Sequence, residues 1–205
     1  MGAEVERATV ALSLARAGWR VALVSSGDPG VFAMAAVTLE LAAETLGHTH
    51  TGDDAEVPID VVPGVSAAPA AAARAGAPLA GPHAVLTLSD LLIPWATIER
   101  QLRAAAGAGL ALALYNPRSK GRPEHLARAR AVLLDVLPPT VPVVVATDVG
   151  GPAERLATTT LRGLDPNEAT MRSIVLVGST ETTVTAGRVV TARHHPRPAP
   201  LQAEP

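Results

Sequence analysis

The fifteen residues Val21–Ala35 constrain the chain more than any other stretch. Val21-Ala22-Leu23-Val24 is apolar, short and β-branched, which reads as a buried strand rather than a helix. The run stops at Ser25-Ser26-Gly27-Asp28-Pro29-Gly30, where two glycines, a proline and an aspartate demand a tight turn. Beyond the turn Val31, Met34, Ala35, Leu39 and Ala42 recur at helical spacing. A strand that feeds a helix through a glycine-rich loop brings backbone N–H groups to the sheet edge, where open α/β sheets take their ligands. Taken alone, the stretch is equally an ordinary βα turn.

The same alternation runs along the chain. Glu4 to Ala17 is helical by spacing and Gly18 stops it; a helix to Leu46 follows the anchor loop. The polar run His48 to Pro58 reads as a surface loop, and His48-x-His50 lacks a third metal ligand nearby. Ile59 to Val62 reads as a second strand closed by Pro63-Gly64. Ser66 is placed to N-cap an alanine-rich helix that tolerates Pro69 in its first turn. Ala84 to Leu88 reads as a third strand, and Ser89 to Pro94 as a connection. The domain boundary is expected there, giving an N-terminal α/β domain over 1–90 and a C-terminal one over 91–193.

In the second half helices are expected over Trp95–Ala106 and Pro123–Leu137. Strands are expected over Leu110–Tyr115, Val141–Ala146, Arg155–Thr160 and Ser173–Gly178, with an edge strand over Gly187–Ala192. The proline-rich end, 194–205, reads as a disordered tail. Two candidate chemistries stand out. Ser89 and Asp90, a hydroxyl and a carboxylate at the expected hinge, form a possible acid/base pair. Arg118, Lys120 and Arg122 crowd one loop and are suited to carboxylates.

Composition narrows the classes. Only four residues are aromatic (Trp19, Phe32, Trp95 and Tyr115), so the core must be aliphatic. A net charge of −2 without a basic tail argues against electrostatic capture of nucleic acid. The absence of cysteine removes disulfides, thiolate metal sites and cysteine nucleophiles. No run approaches the roughly 18 apolar residues of a membrane span, and the acidic start Met1-Gly2-Ala3-Glu4 is unlike a signal peptide. A cytoplasmic protein without membrane or nucleic-acid partners is expected.

Five segments add a resemblance. Ser26-Gly27-Asp28-Pro29-Gly30-Val31, Pro63-Gly64-Val65-Ser66-Ala67, Leu88-Ser89-Asp90-Leu91-Leu92-Ile93-Pro94-Trp95, Leu114-Tyr115-Asn116-Pro117-Arg118-Ser119-Lys120 and Ile174-Val175-Leu176-Val177-Gly178 occur in this order. Together they resemble the tetrapyrrole methylases, and the resemblance runs from about Glu4 to Thr183. The Ser-Asp-Leu-Leu-x-Pro-Trp and Tyr-Asn-Pro-x-Ser-Lys strings are similar to those of the ring-contracting branch, which methylates precorrin-3B at C-17 in cobalamin biosynthesis.

The resemblance implies a two-domain α/β architecture with a ligand cleft between the domains. It also implies S-adenosylmethionine (SAM) as methyl donor and a tetrapyrrole substrate, commonly in a homodimer. It assigns SAM contacts to Gly27, Asp28, Pro29, Val31, Phe32, Ser66, Ala67, Tyr115, Asn116, Ala146, Thr147 and Gly178. Asp90 and Ser89 become the candidate catalytic pair, and Arg118, Lys120 and Arg122 the substrate-binding cations. No metal site is implied.

The sequence also departs from the family pattern. The family opens with a strand and a Gly-x-Gly-Pro-Gly turn that contacts SAM. This chain enters at the following helix, so the first βα unit is expected to be missing, as from a truncated start. Pro82-His83 stands where the family favours His-Asp, and Thr147-Asp148-Val149-Gly150-Gly151 where it favours Arg-Asn-Val-Gly-Arg. Two alternatives stay open: another tetrapyrrole methylase acting on a cobalt-precorrin or a different precorrin, or an inactive truncated remnant.

Overall fold

The computed structural model describes residues 3–48 and 57–195. Contacts within the chain gather it into two units, Met1–Ala67 and Ala68–Pro205. The boundary expected after residue 90 falls inside the second unit. His50, most of the expected 48–58 loop and residues 196–205 of the expected tail lie outside the described residues.

In the first unit, helix α1 (Glu4–Arg16) packs against helix α2 (Met34–His48). Glu4 and Glu6 in the first turn and Arg16 in the last complement the dipole of α1, which buries Ala8 and Leu12. Gly18, with φ of 87°, ends it in a left-handed cap. There the Gly18 N–H donates to the Ala15 carbonyl and the Trp19 N–H to that of Leu14.

The strands expected over Val21–Val24 and Ile59–Val62 do not form as strands. Both stretches lie outside regular secondary structure and no described residue pairs with them in a ladder. Val24 (84% exposed) and Val62 (75%) face solvent. An apolar β-branched run becomes a strand only when a neighbour takes up its backbone N–H and C=O groups.

The second unit takes the remainder. Helix α3 (Ala67–Ala75) leads to β1 (Gly76–Ala77) and β2 (His83–Thr87). Helix α4 (Trp95–Gly107), β3 (Ala111–Tyr115), helix α5 (His125–Leu134), β4 (Pro142–Thr147) and β5 (Arg155–Thr160) follow. The unit ends with β6 (Ser173–Val177), β7 (Thr182–Thr185) and β8 (Arg188–Thr191).

A five-stranded sheet has the order β2-β3-β6-β4-β5. β2 and β3 are parallel, and β6 runs antiparallel between β3 and β4, so β3 and β4 point the same way. Because side chains alternate along a strand, Leu86, Leu112, Leu114, Val143, Val145, Val175 and Val177 share one face. They form the main core with Ile98, Leu102 and Ala106 of α4 and Leu126, Ala129, Val132 and Leu133 of α5. A smaller sheet, β1-β8-β7, is completed by a hairpin turning through Ala186 and Gly187, both at positive φ. Neither β1 nor β7 was expected from periodicity; two and four residues are too few to show one.

Candidate active site

In the first unit the site residues are held by one carboxylate. Asp28 Oδ1 accepts the Gly30 N–H at 2.8 Å, and Oδ2 accepts the Gly64 N–H at 3.1 Å. The two loops that the sequence singled out are thus tied together across 36 residues of chain. They touch so closely that a Cβ on Gly64 would lie 2.2 Å from the Gly27 carbonyl oxygen. Gly27 itself sits at φ of 73°, which a side chain rarely adopts. The bonds from Gly64 and then Gly30 hold the Asp28 carboxyl below the ordinary carboxylate range, against a smaller opposing effect of burial.

Pro29 contributes its carbonyl to the Ala35 N–H at the start of α2. Val31 is half-buried, and its N–H donates to the Asp28 carbonyl. Phe32 is exposed at φ of 49°. Ser66 is buried and Ala67 half-buried at the start of α3. What these loops present is mainly bare backbone, the kind of cradle that approaches a nucleoside or a charged ligand closely.

In the second unit the candidates gather at one edge of the large sheet. Thr87 pairs in register with Tyr115, and Ala146 with Ile174, the residue before Val175, whose partner is Leu114. The carboxyl ends of β2, β3 and β4 and the start of β6 therefore meet in one row, where open α/β sheets place ligands. The chain leaves β3 through Asn116 (φ 54°) and β4 through Asp148 (φ 53°), two residue types that tolerate the left-handed region.

Each exit is fastened. Asn116 Nδ2 donates to Thr87 Oγ1 at 3.0 Å, and the Ser89 N–H donates to the same oxygen at 3.1 Å. The Tyr115 hydroxyl accepts the Ala68 N–H at 3.0 Å, satisfying one free donor of the first turn of α3. Thr147 Oγ1 lies 2.6 Å from Ser173 Oγ. The buried Asp148 pairs with Arg172 and accepts the Ala153 N–H at 3.0 Å.

Ser89 and Asp90 sit at this edge with two new partners. Arg122 is 7% exposed; its guanidinium bonds Ser89 Oγ through Nη1 and Ser119 Oγ through Nε at 3.2 Å. Asp90 Oδ2 lies 3.1 Å from Nε2 of His125, the first residue of α5. His125 is packed edge-on against Trp95, with ring centroids 5.1 Å apart and planes at 84°, and Arg128 covers Trp95 at 4.0 Å. The His125 contact, opposed by burial and aided by the charges of His125 and Arg122, holds Asp90 below the ordinary carboxylate range.

Other residues from the same expectation lie elsewhere or are engaged. Gly178 is at the opposite end of β6, its N–H on the Pro142 carbonyl, and a Cβ there would meet the Thr182 side chain at 2.6 Å. It serves packing there and is not brought to the edge that holds Tyr115 and Ala146. Arg118 donates to the Asn167 carbonyl at 3.2 Å, and Lys120 is exposed. His125 and Thr87 were not singled out from sequence. The signal available was a lone histidine at the head of an apolar helix face. Among the described residues no group of three His, Asp or Glu is arranged to hold a metal ion.

Comparison with known proteins follows the same lines. The Tetrapyrrole (Corrin/Porphyrin) Methylases pattern matches residues 2–165. The chain is 46% identical over 181 residues to a precorrin-3B C(17)-methyltransferase of Sinorhizobium sp, covering 88% of this chain and 69% of that protein. It is 40% identical over 190 residues to a probable cobalt-factor III C(17)-methyltransferase of Salmonella typhimurium, covering 93% of this chain and 76% of the relative. The crystal structure of the methyltransferase CobJ is similar with a TM-score of 0.85 and 41% identity, over 92% of this chain and 77% of that one.

Proposed function

The chain belongs to the tetrapyrrole (corrin/porphyrin) methylases, and on that premise we propose that it C-methylates precorrin-3B at C-17, with SAM as donor and contraction of the ring, in cobalamin biosynthesis. One observation carries the reading. The two segments most particular to the ring-contracting branch, 89–95 and 115–120, converge at one sheet edge, where Asn116 and Ser89 share Thr87 and Arg122 binds Ser89.

SAM supplies an electrophilic methyl group on a sulfonium sulfur, so an electron-rich macrocycle needs positioning and exclusion of water more than covalent help. Gly27, Asp28, Pro29, Val31, Phe32, Ser66, Ala67, Tyr115, Asn116, Ala146 and Thr147 are the candidate residues for binding it. Gly27 and Gly64 let the two loops that carry the first seven of these residues pack backbone to backbone. Asp90, held ionised, is the proton acceptor, and Ser89 is fixed beside it. Lys120 and the free face of Arg118 meet the carboxylates of the substrate. Arg122 is engaged with two serine hydroxyls and orders the loops that carry the others.

A second reading is favoured by one comparison: the Salmonella typhimurium relative is named for a cobalt-containing substrate, so the chain would act after cobalt insertion. Incubation with SAM and either precorrin-3B or its cobalt-bearing counterpart separates the two by which one gains a methyl group. Titration calorimetry of the chain with SAM comes first, and saturable one-site binding is expected. A folded chain that binds no SAM overturns both. The reading carries with it a cytoplasmic homodimer, which sedimentation of the purified chain tests. No helix among the described residues is long and apolar enough to cross a membrane.

A further inference from the structure

We propose that His125 is the positioning residue for Asp90, keeping its carboxylate ionised and in one place so that it accepts the proton released by the methylated macrocycle; the inference rests on the methylase reading above. The imidazole is nine-tenths buried at the head of α5, edge-on against Trp95. Trp95 fixes it edge-on and is itself fixed by Arg128. Yet neither ring nitrogen has an aligned hydrogen-bond partner: the 3.1 Å approach of Nε2 to Asp90 Oδ2 is short enough but out of line.

Burying two polar nitrogens without aligned partners costs stability, and such groups are retained mainly where they serve the site. Catalytic contacts that are out of line in the free enzyme commonly tighten when substrate binds. The neighbouring groups leave this role to His125. Ser89, next in sequence to Asp90, has its hydroxyl oxygen occupied by Arg122. Arg122 is cationic and favours an ionised Asp90, while Arg128 lies over Trp95.

The proton balance gives the carboxylate its task. Transfer of a methyl cation equivalent to carbon forms one C–C bond, breaks the S–C bond and leaves a neutral thioether. The macrocycle gains one positive charge, which it discharges by losing a proton. Its electron pair stays in the ring system, and the proton forms an O–H bond on Asp90. Asp90 is one-third exposed and returns the proton to water between turnovers. A neutral Asp90 could not accept it. His125 touches neither substrate nor donor and acts through the carboxylate alone.

The test begins without mutation. In the full wild-type chain labelled with 13C and 15N, the His125 ring-nitrogen shifts are expected to step at the midpoint of the Asp90 carboxyl titration, with Asp90→Asn assigning the signal. His125→Phe keeps the aromatic edge on Trp95 and removes the N–H. It is expected to raise the Asp90 midpoint. The acid limb of kcat should move by the same amount, with the Kd for SAM changed less than about twofold. His125→Gln, which restores a donor, should recover part of both shifts.

Independent titration of the two groups in the wild-type chain overturns the proposal. So does an acid limb that stays in place while the carboxyl midpoint moves, and so do equal effects of Phe and Gln. A wild-type chain that couples the two groups but forms no S-adenosylhomocysteine from SAM and tetrapyrrole overturns the methylase reading, and the catalytic part of this one with it.

Discussion

Asp28, a candidate SAM contact, also ties two loops together. Replacing it with alanine deletes the acceptors for the Gly30 and Gly64 N–H groups. Asp28→Ala is therefore expected to lower the melting temperature and to weaken SAM binding about tenfold, read by calorimetry. The pH dependence has a definite sign. The folded-state pKa is depressed, so this contribution is fully present above the ordinary carboxylate range and is lost as pH falls through the depressed value. A chain carrying Asp28→Asn should accordingly show less loss of stability on acidification, in parallel melts over the acid range. Gly64→Ala is expected to part the loops, because its Cβ would meet the Gly27 carbonyl at 2.2 Å. The Ser-Gly-Asp-Pro-Gly string made this turn legible in sequence. His125 was not legible, because its meaning depends on Asp90, which lies 35 positions earlier and on a different element.

At the scale of elements, periodicity located most helices and strands to within a few residues. Arg155–Thr160 coincides with the expected strand, and Trp95–Gly107 with the expected helix to one residue. It failed where hydrogen-bond partners decide: Val21–Val24 and Ile59–Val62 have the right residues and no ladder. The same logic makes the exits of β2 and β3 testable. Thr87→Val leaves both the Asn116 amide and the Ser89 N–H without their shared acceptor. A loss of about 1–3 kcal/mol is expected, measured by urea unfolding, together with a fall in kcat. Tyr115→Phe removes the acceptor of the Ala68 N–H and should cost about 1 kcal/mol.

For the whole molecule, the described structure predicts an uneven distribution of stability. β3, β4 and β6 are hydrogen-bonded on both sides and lie almost wholly in the core. Their amides should be the slowest to exchange in hydrogen-exchange mass spectrometry, while those of residues 20–25 and 57–62 should exchange early. Equal protection of both groups would contradict the described pairing. The fold class was readable because alternating strand and helix signals recur along the chain. The insertion of an antiparallel strand between two parallel ones was not, since strand order depends on contacts that no local pattern encodes.

That inserted strand has a consequence for how the protein is made. In the five-stranded sheet β6 is the strand that joins the β2-β3 pair to the β4-β5 pair. Until β6 takes its place, β3 and β4 each have an open, apolar edge. A nascent chain stalled before Ser173 is expected to engage chaperones or aggregate, and one released after Val177 to close the sheet. Five residues, Ser173–Val177, thus separate a chain with two open sheet edges from one able to close them.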